Sequence, residues 1–190
     1  MLTTRERALD AAVELIGTQG LRALTHARVD EQAGIPRGST SNYFRTRAAL
    51  LEGVVTRVAD QELGNLAPAV GPDSMTPNDL VEAITAVIEV TTGEFRSRTI
   101  ARYVLFLESA HDIAVQAPLV ANRQRFERWT EDMLTHLGAA DPVSATRALM
   151  ACGEGLVLHR ITVDPDADPR PAVAMVVRGC LEPAAIRAVP

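Results

Sequence analysis

The sequence predicts an all-α protein in which a short N-terminal helix-turn-helix unit precedes a larger helical region. Signals for β-strands are weak, because aromatic residues make up 4% of the chain and no Asn-Gly hairpin turn occurs. Signals for helix starts and stops recur instead along most of the 190 residues. The apolar fraction of 47% is high enough for a buried core in one or two small domains.

The first helix is predicted from its start, its end and its apolar spacing. Thr3 and Glu6 stand three residues apart, as in a capping box, where each side chain accepts from the backbone amide of the other residue. Gly20 is expected to end the helix. The apolar residues between them follow the i, i+4, i+7, i+8 spacing of one buried face: Ala8, Ala12, Leu15 and Ile16.

Two short helices joined by a glycine turn are predicted next. Thr25 is suited to cap a helix that reaches Ala33, and Gly34 supplies the left-handed residue that ends it. A third helix is expected from about Pro36 to Phe44. Three helices in the first 45 or so residues, the last two joined by a glycine turn, make a helix-turn-helix unit.

The larger region contains further helix signals. Thr46 is placed to begin a fourth helix that continues to about Leu66, and a Pro- and Gly-containing loop is expected after it. Thr76 followed by Pro77 is a strong helix start, because Thr caps the first turn and Pro fits its first position. The remaining helices are predicted over residues 76–93, 99–110, 118–138, 141–163 and 171–181.

The third predicted helix lies between Glu31 and Glu52, a stretch in which no acidic residue occurs. Residues 1–47 hold seven Arg against five acidic residues (net +2), whereas residues 48–190 hold twelve Arg against nineteen (net −7). The small polar side chains and Arg residues of the stretch between Glu31 and Glu52 suit a helix that lies against DNA phosphates. The alternative is an ordinary solvent-exposed helix. The total charge of −5 argues against a protein that coats DNA by bulk attraction.

Three motifs of the N-terminal unit carry a family resemblance: Ala33-Gly34-Ile35 at the turn, Asn42-Tyr43-Phe44 after it, and an Arg-x-x-Leu-Leu start to the fourth helix. This pattern resembles the tetracycline-repressor (TetR) family of bacterial one-component regulators over about residues 4–52. The remainder resembles the family only in its helical layout and length. The resemblance implies a DNA-binding domain over residues 1–46 and an effector-binding and dimerisation domain over residues 47–190.

The resemblance also implies that the start and the exposed face of the third helix read bases. Arg37 could bind a guanine edge through two donors, and Asn42 could pair with adenine in the same manner. Gly38 has no side chain and would let the helix approach the DNA closely. The residues implied to contact bases are Arg37, Gly38, Ser39 and Asn42, and those implied to contact phosphates are Thr25, His26, Arg28, Ser41, Tyr43 and Arg47.

Two residues depart from the family pattern. Ser41 stands where the family often has Tyr, so its phosphate contact is expected to be shorter and weaker. Asp30 replaces the small residue usual where the second and third helices cross. The packing angle there is expected to change unless the carboxylate caps a helix or pairs with a neighbour such as Arg37.

Aromatic residues of the larger region are candidates for an effector pocket. Phe126, Trp129 and Met133 fall on one helical face at steps of three and four residues. The resemblance implies a cavity enclosed by such helices, and walls with few polar groups suit a small apolar or planar effector. The alternative is that these side chains are core. The candidate pocket residues are Phe95, Tyr103, Phe106, Phe126, Trp129 and Met133.

The last two helices are predicted to form a dimer interface. Ala148, Ala151 and Gly155 belong to a surface of small residues that another helix can approach closely. Met175 and Val176 lie on a final helix with more apolar surface than one partner needs. The resemblance implies a four-helix interface made by two such helices from each of two chains. The alternative is a bundle within one chain.

The sequence contains no recognisable catalytic or metal-binding motif. The four histidines are scattered without the spacing of zinc ligands, and no phosphate loop, nucleophile elbow or dinucleotide fingerprint occurs. No enzyme activity, metal or cofactor is therefore expected. Cys152 and Cys180 are expected to be buried free thiols. A charged N-terminus and the lack of an apolar run near roughly 20 residues predict a cytoplasmic protein without membrane contact.

These observations predict a homodimeric transcriptional repressor that binds a palindromic operator in double-stranded DNA and is released by a small apolar or aromatic effector. The two third helices would enter successive major grooves about 34–36 Å apart. Effector binding would favour a spacing that does not fit the operator, with the fourth helix as the pivot. Alternative hypotheses are a helical ligand carrier or enzyme with an accessory DNA-docking head, and a structural DNA binder without an effector.

Overall fold

The computed structural model describes residues 2–65, 75–109 and 113–182, apart from the side chains at 62–65, 109, 113–119 and 122. All regular elements in this part of the chain are helices, which confirms the predicted all-α fold. They are α1 (Thr4–Gln19), α2 (His26–Ala33), α3 (Ser39–Tyr43), α4 (Arg47–Asn65), α5 (Pro77–Thr92), α6 (Arg96–Ser109), α7 (Ile113–His136), α8 (Pro142–Thr162) and α9 (Arg170–Leu181), with a 3₁₀ turn at Leu21–Ala23.

The helices form two compact units. The first unit contains α1 to α4, α6 and the beginning of α7, and the second contains α5, the rest of α7, α8 and α9. The core of the first unit combines Ile16 of α1, Val29 of α2, Val54 of α4 and Leu105 of α6, all of them fully buried. The three N-terminal helices therefore share their core with α4 and α6. The predicted domain boundary between residues 46 and 47 stays a prediction about where two functions separate.

The local signals at α1 and α2 act as predicted. Glu6 Oε2 accepts a hydrogen bond from the Thr3 amide at 2.8 Å, and Thr3 Oγ1 accepts one from the Glu6 amide at 3.2 Å. Gly20 follows the last residue of α1 with a φ of 77°. Gly34 ends α2 with a left-handed φ of 59°. A left-handed residue releases the chain from the helix, and glycine adopts this conformation without steric cost.

The third helix is shorter than predicted. It begins at Ser39 rather than at Pro36, because Gly38 has a φ of 87° and interrupts the helical path. The Ser39 amide donates to the Pro36 carbonyl at 3.1 Å, so the preceding residues form a tight turn. Arg37 consequently lies in this turn and not on the helix itself.

A bidentate ion pair joins α1 to α4. The Arg57 guanidinium donates from Nε to Asp10 Oδ1 at 2.7 Å and from Nη2 to Asp10 Oδ2 at 2.9 Å. Gln61 Nε2 donates to Asp10 Oδ1 at 2.6 Å. The hydrogen bond to Asp10 raises the pKa of Arg57 above its ordinary value. Two parallel bonds fix the orientation of both side chains, so this pair sets how α4 lies along α1.

In the second unit, α5, α8 and α9 pack against one another. Thr76 caps α5 in a capping box with Asp79, whose Oδ2 accepts from the Thr76 amide at 2.9 Å. Asp141 caps α8 and accepts from the Ser144 amide at 3.0 Å. Arg160 reaches from α8 to the end of α5, where its Nε donates to the Thr92 hydroxyl at 2.8 Å.

The predicted start of α7 is wrong. The helix begins at Ile113, and Pro118 lies inside it rather than at its first position. Proline removes one backbone donor, which a helix with other supporting contacts can tolerate. Among the described residues, no helix combines the length and the apolar character needed to cross a membrane.

The two cysteines are free thiols but are half-buried rather than buried. Cys180 Sγ donates to the Ala145 carbonyl at 3.6 Å. Burial raises the pKa of both thiols, and the neighbouring Cys152 raises the pKa of Cys180 further. Both groups are therefore thiols rather than reactive thiolates at neutral pH.

Within the first unit, α1 and α6 approach each other closely at Gly17. A β-carbon added at this glycine would overlap the backbone carbonyl of Ser97. Ser97 Oγ donates to Glu14 Oε2 at 2.5 Å next to this contact. The absence of a side chain at Gly17 thus sets the distance between the two helices.

We expect Gly17→Ala to lower the free energy of unfolding by about 1–3 kcal/mol, because backbone cannot yield as a side chain can. Thr18→Ala, on the exposed side of the same helix, should change it by less than about 0.5 kcal/mol. Urea denaturation followed by circular dichroism measures both. Equal stability of Gly17→Ala and the wild type would contradict the close contact.

Candidate nucleic-acid interface

The face formed by α2, the following turn and α3 presents most of the predicted base-contacting side chains to solvent. Arg37, Gly38 and Asn42 are exposed, whereas Ser39 is half-buried. Thr40 points the other way and is completely buried. The alternation follows from helical geometry, because neighbouring residues on a helix point in different directions. The sequence-predicted set therefore shares one outer surface, although its assignment to base contacts remains a prediction.

A surface groove of about 640 Å³ runs along this face between α2 and the turn that precedes α3. Its walls carry both signs of charge, because Arg28 and Arg37 line it together with Glu31. The complete lining is His26, Ala27, Arg28, Asp30, Glu31, Gly34, Ile35, Arg37, Gly38 and Ser41. A mixed polar surface of this kind suits hydrogen bonding to base edges and phosphates better than an apolar ligand.

Three of the predicted phosphate contacts are exposed hydroxyl groups. Thr25 caps α2, and its Oγ1 accepts from the Arg28 amide at 3.4 Å. Ser41 and Tyr43 lie on α3, and Tyr43 is 49% exposed. Hydroxyl groups and the amides at the start of α2 can all donate to phosphate oxygens.

The three basic residues of the predicted phosphate set each contact another part of the first unit. Arg47 Nη2 donates to the Leu21 carbonyl at 3.1 Å, and an Arg28 Nη2 hydrogen bond reaches Gln19. A guanidinium has five donors, so both arginines keep donors for a phosphate. His26 Nε2 lies 2.6 Å from the Phe44 carbonyl. Because a carbonyl only accepts, Nε2 carries the proton, and Nδ1 can donate to a phosphate only when the ring is charged.

From the sequence, Asp30 is expected to change the packing of α2 and α3 unless its carboxylate caps a helix or pairs with a neighbour. In the structure this carboxylate caps α3. Asp30 is 2% exposed, and its Oδ2 accepts from the Gly38 amide at 2.7 Å. Its Oδ1 accepts from the Thr40 amide at 2.8 Å and from the Thr40 hydroxyl at 2.6 Å. Burial raises the pKa of Asp30, but these hydrogen bonds outweigh burial and hold the pKa below its ordinary value. The carboxylate is therefore charged at neutral pH.

Two arginines of α1 support the same face and were missed from the sequence. Arg7 Nη2 donates to the Ala33 carbonyl at 2.7 Å and to the Gly34 carbonyl at 3.2 Å, at the end of α2. The Arg5 guanidinium lies 5.2 Å from the centre of the Phe44 ring. Local spacing carries no signal for either contact, because the partners lie 26 or more residues further along the chain.

The candidate pocket residues are divided between the two units. Phe95, Tyr103 and Phe106 belong to the first unit, where Phe106 packs against the buried core. Arg98 lies 3.9 Å from the centre of the Phe95 ring, and Arg102 lies 4.7 Å from the centre of the Tyr103 ring. Each arginine guanidinium thus makes a cation–π contact with the face of the neighbouring ring.

The other three candidates, Phe126, Trp129 and Met133, lie on α7 in the second unit. The rings of Phe126 and Trp129 are stacked, with centroids 5.7 Å apart and planes inclined by 16°. Both rings are half-buried, whereas Met133 is buried with 2% exposure. Assignment of all six residues to a pocket stays a prediction.

The predicted dimer residues lie on the outer surface of the second unit. Ala148, Ala151 and Gly155 are exposed on α8, at spacings of three and four residues that place them along one face. Met175 of α9 is 70% exposed, and Val176 is half-buried. Within the part of the chain that the structure describes, this surface is uncovered, and its assignment to a dimer interface stays a prediction.

Comparison with known proteins gives two family matches that together span most of the chain. A model described as "Bacterial regulatory proteins, tetR family" matches residues 8–54, and one described as "Tetracyclin repressor-like, C-terminal domain" matches residues 75–183. The HTH-type transcriptional regulator BetI of Brucella canis is 28% identical over 102 residues, which are 54% of this chain and 50% of the relative. BetI of Brucella anthropi is 30% identical over 103 residues, 54% and 52% of the two chains. The chain spans about half the length of the curated relatives it matches.

Solved structures show the same fold. A TetR transcription regulator from Haloarcula marismortui superimposes with a TM-score of 0.80 at 14% identity, over 94% of this chain and 98% of the other. The multidrug binding protein EbrR complexed with proflavin gives a TM-score of 0.59 at 26% identity, over 93% and 99% of the two chains. The first comparison supports the architecture alone, whereas the second adds a moderate sequence similarity.

Proposed function

Because the chain belongs to the TetR family, as its N-terminal motifs predict, we propose that it is a homodimeric transcriptional repressor that a small molecule releases from its operator. The observation that carries this proposal is the exposed face of α2, the turn and α3, which has hydrogen-bonding and cationic groups and a buried carboxylate beneath it. As a DNA-binding regulator of this family, it is assigned to the cytoplasm. The family membership favours a regulator over an enzyme or a carrier.

Base reading and phosphate binding are assigned to different residues. Arg37, in the turn before α3, presents a guanidinium that can bind the O6 and N7 acceptors of guanine. Asn42, on the exposed side of α3, can bind adenine through its amide. Gly38 and Ser39 lie close to these bases. Phosphate contacts come from the edges of the face, through Thr25, His26, Arg28, Ser41, Tyr43 and Arg47.

The dimer proposal rests on the uncovered surface of α8 and α9. A β-carbon added at Gly155 would meet open space, so none of the residues that the structure describes occupies this position. Leu158 is 47% exposed on the same helix. A second copy related by two-fold symmetry would cover this surface and place two reading faces on the half-sites of a palindrome.

The effector proposal rests on the likeness to EbrR, which has been solved with the planar dyes proflavin and ethidium. The stacked Phe126 and Trp129 rings provide an aromatic surface of the kind that such molecules contact. We therefore assign a small apolar or aromatic effector to the proposed effector-binding domain, residues 47–190. Its binding would favour a conformation whose reading faces no longer fit the operator.

The DNA-binding proposal predicts different defects for two arginines. Arg37→Ala should reduce discrimination between operator and random DNA by about 1–3 kcal/mol, because it removes a base contact. Arg47→Ala should weaken binding to all sequences similarly, because it removes a phosphate contact. It should also reduce the slope of the logarithm of the binding constant against the logarithm of the salt concentration by about one. Gel shifts at several salt concentrations, on an operator selected from random DNA, measure both effects. Identical behaviour of the two variants would refute this division.

The dimer proposal predicts that Ala151→Glu separates the protomers while leaving each one folded, since the residue is exposed on α8. Burying an unpaired carboxylate in an interface is strongly unfavourable. Sedimentation at micromolar concentration should show a dimer for the wild type and a monomer for the variant. Gln124→Glu, which adds the same charge at an exposed site on α7, should remain dimeric. A monomeric wild type would exclude the proposed assembly.

The effector proposal predicts saturable quenching of the emission of Trp129, the only tryptophan in the chain, by proflavin in the absence of DNA. Omitting DNA matters because such dyes also bind nucleic acid. Phe126→Ala should raise the dissociation constant about tenfold, which corresponds to roughly 1.4 kcal/mol of lost contact. Val143→Ala, an exposed site on α8, should bind as the wild type does. Unchanged affinity of Phe126→Ala would remove this residue from the pocket.

A further inference from the structure

The short helix α3 has no cap from its own segment. Its N-cap position is occupied by Gly38, and among the described residues of this segment no side chain bonds to the first amides of the helix. The first amides of any helix need an acceptor, and a helix of five residues has few internal bonds to compensate for a missing one. The acceptor must therefore come from elsewhere in the fold.

Asp30 of α2 supplies it. One carboxylate oxygen accepts from the Gly38 amide at 2.7 Å, and the other accepts from the Thr40 amide at 2.8 Å. The two amides stand on either side of Ser39, so the carboxylate spans the junction between the turn and the helix. The Thr40 hydroxyl adds a third bond at 2.6 Å from a side chain that is completely buried.

The other end of α3 is also held by α2. His26 Nε2 donates to the carbonyl of Phe44, the residue that follows α3, at 2.6 Å. His26 and Asp30 are four residues apart and therefore lie on the same side of α2. One face of α2 thus binds both ends of α3.

We propose that Asp30 is a positioning residue for operator recognition, an inference that rests on the proposed function. Its buried carboxylate fixes the turn and the start of α3, so that Arg37 and Asn42 meet base edges in one preset orientation. Asp30 itself is 2% exposed, so although it lies at the groove wall we expect it to act through the residues that it holds rather than by contacting DNA.

This role predicts a loss of sequence discrimination rather than of all DNA binding. Base contacts through two donors require a defined side-chain geometry, because both bonds must form at once. Phosphate contacts are less demanding and account for most of the binding to random sequence. A loosened α3 should therefore bind random DNA almost normally and lose its preference for the operator.

The test uses the full chain and measures dissociation constants for the selected operator and for a random duplex at one salt concentration. Asp30→Asn keeps the shape of the side chain but replaces one of the two accepting carboxylate oxygens with an NH2 group, which donates and cannot accept. It should reduce the ratio of the two constants at least tenfold, with the random duplex changed less than twofold. Thr40→Ser keeps both donors to the carboxylate and should retain the wild-type ratio within twofold.

Two further measurements separate positioning from stability. Val58→Ala removes completely buried volume from α4, outside the α2–α3 segment, and it should lower stability but keep the ratio. Hydrogen exchange of the Gly38 and Thr40 amides should accelerate at least tenfold in Asp30→Asn, while the Val54 amide on α4 is unaffected. If Asp30→Asn does not fold, Thr40→Val, which removes only the hydroxyl bond, should show a smaller loss of the ratio.

The outcomes distinguish this inference from the function on which it rests. A wild type without any operator preference would overturn the proposed function and this inference with it. A wild type with a clear preference that Asp30→Asn retains would overturn the inference alone. A ratio that falls equally in Val58→Ala would also overturn it, because stability would then explain the loss.

Discussion

A helix of five residues forms too few internal hydrogen bonds to persist alone in water, so the conformation of α3 depends on what holds its ends. Here both ends are bound to one face of α2. The Asp30 carboxylate accepts from the first amides, and the His26 ring donates to the carbonyl of Phe44. The reading function proposed for α3 depends on this arrangement, because a base-contacting side chain is only as well placed as the backbone that carries it.

The same arrangement explains how an acidic residue can lie beneath a surface proposed to bind DNA. Asp30 is buried, and hydrogen bonds from two amides and a hydroxyl compensate its charge. The exposed residues from 32 to 51 contain Arg37, Arg45 and Arg47 and no acid. The chain as a whole carries a net charge of −5, so bulk attraction to DNA is not expected, and the proposed docking depends on these arginines even though Glu31 lies on the same face. A local cationic surface on an acidic protein favours docking at one site over coating of the duplex.

The second unit combines features that suit association and ligand binding. Helices α8 and α9 pack on α5 and leave small side chains and the large Met175 side chain exposed. The proposed dimer rests on these small side chains and Met175 together, because a single exposed apolar side chain is common on protein surfaces. The stacked rings of Phe126 and Trp129 lie on α7. The proposed interface and the proposed effector contacts thus involve different helices of this unit.

The sequence by itself determined the all-α class, most helix boundaries and the family, because caps such as Thr25 and turns such as Gly34 act within a few residues. It also placed the predicted base-contacting residues in one short segment. It did not determine that Asp30 caps α3, nor that His26 and Arg47 bond to distant carbonyls. Those partners lie 10, 18 and 26 residues away along the chain. Only the tertiary structure decided these contacts, because local spacing does not specify which distant backbone groups packing brings within hydrogen-bonding distance.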